Sequence, residues 1–147
     1  MDMSLIGTST DFFVSNTTNA ELITRLILSI FLGALVGFER QLSNKPAGMR
    51  THMLVSLGAC LFTVIAISNF KDDAGRILGG LVTGIGFIGA GNIIANRGKV
   101  HGITTAATLW TVAAIGLAIG SGSYFLAIIA GILVFMILQF KRIENKL

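Results

Sequence analysis

Long apolar stretches separated by short polar joints dominate the chain. Residues 22–38, 51–69, 77–95, 103–120 and 124–140 are each nearly free of charge. Each is close to the ~17–25 residues an α-helix needs to cross ~30 Å of hydrocarbon, and none alternates with period two. Backbone groups in lipid must be satisfied within helices or a closed barrel, so the pattern predicts five transmembrane helices. Lys45-Pro46-Ala47-Gly48 and Asp73-Ala74-Gly75 read as tight turns. With joints this short, consecutive helices are antiparallel neighbours. The expected fold is all-α, a polytopic membrane bundle of about five helices: a polar leader over 1–21, a transmembrane domain over 22–140 and a short tail over 141–147.

Composition removes the main rival. Hydrophobic residues make up 53% of the chain and charged residues 12%, too little charge to cover a water-soluble surface. The net charge of +4 is spread in twos and threes between apolar runs, without the basic stripe and aromatics of a nucleic-acid surface, so no nucleic-acid partner is expected. Arg40, Lys45 and Arg50, then Arg97 and Lys99, then Lys141, Arg142 and Lys146 fall on one side of the bilayer, eight basic residues against Lys71 and Arg76 on the other. The positive-inside bias puts the amino terminus outside and the carboxyl terminus in the cytoplasm. The leader lacks Lys and Arg, so no cleaved signal is expected; Phe12, Phe13 and Val14 suggest a short interfacial piece. Cys60 is the single cysteine, which excludes a disulfide within one chain.

The third span carries six glycines, each costing ~1 kcal/mol against alanine in a water-exposed helix. Gly80 and Gly84 form the GxxxG spacing that lets helices approach closely in lipid, and Gly86, Gly89 and Gly91 extend the small surface. These glycines are the expected packing positions. Trp110, about 10 Å into the fourth span at 1.5 Å per residue, is expected to pack inside against them. Thr104, Thr108 and Thr111 recur at helical spacing and so are expected to share a face.

Polar residues converge at the cytoplasmic ends of four spans: Glu39 and Arg40, then Arg50, Thr51 and His52, then Asn92, then His101, Thr104 and Thr105. Glu39 paired with Arg40 or Arg50 keeps a carboxylate ionised near lipid, and Asn92 with the threonines completes a hydrogen-bonded cluster. Glu21 and Arg25, four apart, read as a helix-surface ion pair. No paired carboxylates, nucleophile elbow or Cys–His pairing is present, so neither an enzyme nor a cofactor is expected. Glu39 alone is thin for a dedicated magnesium cage, and the metal assignment stays open.

Phe38-Glu39-Arg40-Gln41, the run from Lys45 to Val55, Gly84-Ile85-Gly86-Phe87-Ile88-Gly89-Ala90-Gly91 and the run from Gly102 to Trp110 together resemble the MgtC/SapB (YhiD) family over about residues 22–140. The resemblance implies a bacterial inner-membrane protein linked to magnesium limitation, acid stress and intracellular survival (virulence). It implies regulation of other membrane proteins, with ATP synthase as the named partner. Many relatives carry a cytoplasmic domain after the last span, whereas this sequence stops at Leu147, and the Asn92 position is more often apolar. Two functional readings follow: a regulator that docks other membrane proteins, or a small transporter or channel, as a homo-oligomer, for Mg²⁺, protons or another solute. A third is a purely structural scaffold.

Overall fold

The computed structural model describes residues 18–96 and 99–144; the polar leader, with its expected interfacial piece, lies outside the described residues. Five helices follow in order: α1 (Asn19–Leu42), α2 (Met49–Asn69), α3 (Ala74–Gly91), α4 (Ile103–Gly120) and α5 (Tyr124–Glu144). A 3-10 turn, Lys71–Asp73, precedes α3, and a hairpin of β1 (Ile94–Asn96) and β2 (Lys99–His101) joins α3 to α4. Four helices are long and apolar enough to cross a membrane, and α5 is apolar through Gln139.

Local chemistry sets the helix ends. Thr18 caps α1 by accepting the Glu21 N–H at 3.4 Å. At the far end Ser43 donates its N–H to the Glu39 carbonyl, and Asn44 adopts φ 52°, a left-handed value that asparagine tolerates. The chain then reverses into α2 through Pro46 and Gly48. Expected and observed third spans differ here: the predicted 77–95 ends instead at Gly91, and Asn92 turns back to its own helix by donating Nδ2 to the Ile88 carbonyl at 3.0 Å. The apolar run Ile93–Ala95 suggested more helix, but it supplies the first hairpin strand, which pairs antiparallel with 99–101.

Helix α2 sits between α1 and α4, and glycine makes this possible. A Cβ on Gly33 would lie 2.8 Å from the His52 carbonyl oxygen, and one on Gly37 would lie 2.6 Å from the Met49 Cα. From α4, a Cβ on Gly116 would collide with the Ser56 carbonyl, and one on Gly120 would lie 2.7 Å from the Cys60 carbonyl oxygen. Two GxxxG pairs, one from α1 and one from α4, therefore flank the same face of α2. Its own small face, Ser56, Ala59, Cys60, Thr63 and Ala66, is buried. Leu32, Cys60, Ile115, Ala118, Ile119 and Ala127 form the principal apolar cluster, with α5 resting on α1 where Gly131 meets Leu32.

Helix α3 stands apart. Half of the apolar window of α4 is buried, against 11% of that of the α3 span. Ile85 and Gly89 are the buried residues of α3; Ile85 joins Ala59 and Ala113, and a Cβ on Gly89 would lie 3.6 Å from Ala106.

Candidate functional site

At the end of the bundle where α1 stops and α2 and α4 start, buried polar groups meet. Glu39 and Arg40 are 5% and 3% exposed. One Glu39 oxygen accepts the Ser43 hydroxyl at 2.7 Å, and the other lies 3.6 Å from Arg40 Nη1. Arg40 Nη2 donates to the Thr105 hydroxyl at a long 3.4 Å, while Glu39 Oε2 and Arg40 Nε have no hydrogen-bond partner among the described residues. Unpaired buried groups of this kind cost on the order of 1–3 kcal/mol each.

One turn into α2, His52 is fully buried. Its Nδ1 is 2.9 Å from the Gly48 carbonyl and its Nε2 is 3.2 Å from the Thr108 hydroxyl. A carbonyl only accepts, so in a neutral ring Nδ1 carries the proton and Nε2 accepts. The single Thr108 hydrogen is then shared between Nε2 and the Thr105 carbonyl, 2.8 Å away. His52, Thr108, Thr105 and Arg40 thus form a linked series crossing from α2 through α4 to α1.

The expected cluster assembles in part. Glu39, Arg40, His52 and Thr105 come together, and the acidic partner chooses Arg40 rather than Arg50. Arg50 is exposed and Thr51 faces a groove between α2 and α3, because both lie on the side of α2 turned away from α1. Asn92 is occupied at its own helix end, so its side chain does not complete the cluster. Thr104 is exposed and Thr111 part-buried; the buried threonine face of α4 is Thr105 with Thr108, a spacing of three rather than the expected 104–108–111 series. Thr104 instead forms one wall of an open cleft of about 310 Å³ with Arg40, Lys45, Val100, His101, Gly102, Ile103 and Thr105. Gly102 has φ 91°, and a Cβ there would collide with the Asn92 carbonyl, so only glycine lets α4 start this close to the end of α3. Lys45 and Thr108 were not legible as cluster members; the signal available was their spacing, five residues beyond Arg40 and three beyond Thr105.

The packing assignments change more. Among the described residues a Cβ on Gly80, Gly84, Gly86 or Gly91 would meet nothing within 4 Å, so these are not packing positions there; Gly89 is. Trp110 is 49% exposed rather than internal, and it borders a crevice with Leu81, Val82 and Ile85 instead of the glycines. Instead, Gly80 and Gly84 line a groove with Phe62, Leu81 and Ile85, continuous with one along α2 lined by Thr51, Leu54 and Gly58. The two stretches measure about 430 and 420 Å³.

At the opposite end, Glu21 and Arg25 are more than a surface pair. Arg25, 8% exposed, donates to Glu21 at 2.6 Å, to the Tyr124 hydroxyl at 3.0 Å and to the Gly120 carbonyl at 2.7 Å. It ties α1 to the C-terminus of α4, where a cation suits the helix dipole, and to the start of α5. Among the described residues no group of three His, Cys, Asp or Glu side chains gathers as a metal site.

The MgtC family profile matches residues 26–146. YhiD of Escherichia coli (strain K12), whose name assigns it provisionally to magnesium transport, is 43% identical over 82% of this chain and 60% of its own length. MgtC of Salmonella typhimurium (strain LT2) is 43% identical over 76% of this chain and 48% of its length. SrpB of Synechococcus elongatus is 38% identical over 82% of this chain and 75% of its length. The chain thus spans about half to three-fifths of the YhiD and MgtC relatives. No solved structure matches it.

Proposed function

The chain belongs to the MgtC family of multi-pass membrane proteins, and on that premise we propose that it is a non-enzymatic regulator that receives a transmembrane helix of another membrane protein in the α2–α3 groove. The observation that carries this reading is the open glycine floor: Gly58, Gly80 and Gly84 line the groove, and none has a neighbour where its Cβ would be. Glycine in a lipid-facing helix gives up side-chain packing, and that loss is offset when a second helix approaches the bare backbone. The names of the relatives supply the context of magnesium, and the resemblance adds acid stress, the bacterial inner membrane and ATP synthase as the first partner to test. The charge distribution supports an amino terminus outside.

Affinity purification from native membranes under magnesium limitation tests the reading. The expected result is a co-purifying membrane protein that is lost from Gly80→Leu/Gly84→Leu, while the variant still inserts and melts like the parent. Undiminished recovery with the groove filled overturns it. If the captured chain is a second copy of the protein, the groove is a homo-oligomer interface instead.

A second reading, transport of Mg²⁺, protons or another solute, is favoured by one observation: Arg25, Ser29, His52, Thr63, Thr105 and Thr108 are all buried along the α1–α2–α4 seam. Purified protein in liposomes would then support a flux that Glu39→Ala abolishes. Absence of flux across a panel of solutes removes this reading.

A further inference from the structure

The cleft where α1 ends and α4 begins gathers basic side chains from three segments. Arg40 comes from α1, Lys45 from the turn that follows, and His101 from β2; no carboxylate is among its lining residues. The fourth contribution is backbone. Gly102 begins α4 without a side-chain cap, so the first-turn N–H groups beside Thr104 and Thr105 have neither an intrahelical acceptor nor a capping oxygen, and they form the positive end of an 18-residue helix.

Arg40 distinguishes this arrangement from an ordinary helix start. Its side chain is buried, 3% exposed, yet it lines the cleft; among the described residues its Nε has no partner, and its Nη contacts are a 3.4 Å bond to Thr105 and a 3.6 Å approach to Glu39. A guanidinium offers five N–H donors in a fixed fork, and here one long bond is donated. The acceptor that would use the remainder must be negative, carry several oxygens and reach Arg40 and the α4 amides together. A carboxylate holds its two oxygens in one plane and is engaged by the fork. A phosphate group sets its oxygens tetrahedrally, so that one can meet the fork while another turns to the first-turn amides and the Thr104 hydroxyl, in a phosphodiester as in free phosphate.

We propose that this cleft binds a phosphate group, with Arg40 and the start of α4 as its seat and Lys45 and His101 as its rim. The cleft opens at the membrane end read as cytoplasmic, so the same chemistry arrives either on an anionic phospholipid headgroup or on a soluble phosphate. The site lies apart from the α2–α3 groove, and its failure would leave the docking reading intact.

The test uses the full chain in two arms, read by thermal shift and native mass spectrometry. One titrates inorganic phosphate onto protein in neutral detergent. The other reconstitutes the protein in phosphatidylcholine nanodiscs with increasing phosphatidylglycerol. A saturable rise in melting temperature is expected in at least one arm; phosphate alone identifies a soluble ligand, and phosphatidylglycerol alone a headgroup. Arg40→Gln is expected to weaken binding at least tenfold. Lys45→Gln with His101→Gln, two residues at the cleft rim, is expected to weaken it at least threefold, and it decides the matter if Arg40→Gln does not fold. No binding in either arm, or unchanged affinity in the rim variant, overturns the proposal.

Discussion

Gly33 with Gly37 in α1 and Gly80 with Gly84 in α3 have the same four-residue spacing in helices that are both long and apolar enough to cross a membrane, and they end in opposite surroundings. The α1 pair lies against the backbone of α2, where Gly116 and Gly120 of α4 pack on the same face. The α3 pair opens onto a groove. Glycine spacing therefore marks where a close helix contact is sterically allowed, and the rest of the fold decides whether the partner is already inside the chain. In this protein α1, α2 and α4 form a closed unit, while α3 is held mainly by Ile85 and Gly89, with Leu81 part-buried beside them and most of its remaining surface open.

The sharpest break of that comparison is one substitution made in both places. Gly37→Ala combined with Gly116→Ala puts two methyl groups into backbone, at about 1–3 kcal/mol each for overpacking, and a large fall in melting temperature is expected. Arg25→Ala comes next: it leaves the Gly120 carbonyl and the Tyr124 hydroxyl with a lost donor at about 1–3 kcal/mol, measured by thermal unfolding in detergent. Thr108→Val removes the hydroxyl beside His52 Nε2 and is expected to cost roughly 0.5–1.5 kcal/mol by the same measurement. Gly80→Ala with Gly84→Ala closes the series, with a change within about 0.5 kcal/mol, as at surface positions free of contacts. A comparable loss for the α1–α4 and α3 alanine pairs would erase the distinction between the two regions.

The helical layout was legible because hydropathy in blocks is a strong signal, and the five apolar stretches correspond to α1 to α5. Their ends were less so. Apolar composition alone stopped the first span at 38, whereas α1 runs on through Glu39 and Arg40 to Leu42 because their side chains find partners in Ser43 and Thr105. The third span was drawn too long because Ile93–Ala95 is apolar whether it forms helix or strand. The polar cluster was half legible. Sequence places Glu39, Arg40, His52 and Thr105 at one end of the bundle, but only the rotation of each helix separates them from Arg50, Thr51 and Asn92. Rotation also hid the packing glycines: α3 drew notice by number, while Gly33, Gly37, Gly116 and Gly120 contribute by facing α2. Arg25 looked like half of a local pair, since Gly120 and Tyr124 lie 95 and 99 residues away.

The clamp on α2 has a thermodynamic consequence beyond its geometry. Gly33, Gly37, Gly116 and Gly120 bring no side-chain torsion to the contact, and Ala59 brings none that counts; Ser56, Cys60 and Thr63 bring one heavy-atom rotor each. Bringing these surfaces together therefore freezes almost no rotamer freedom, where a seam of long side chains would forfeit up to about 1–2 kcal/mol for each residue immobilised. The closed unit can form at little entropic cost even though lipid offers its apolar surfaces no hydrophobic incentive to leave the solvent, and close van der Waals contact, with the hydrogen bonds of Arg25, Arg40 and His52, keeps it together.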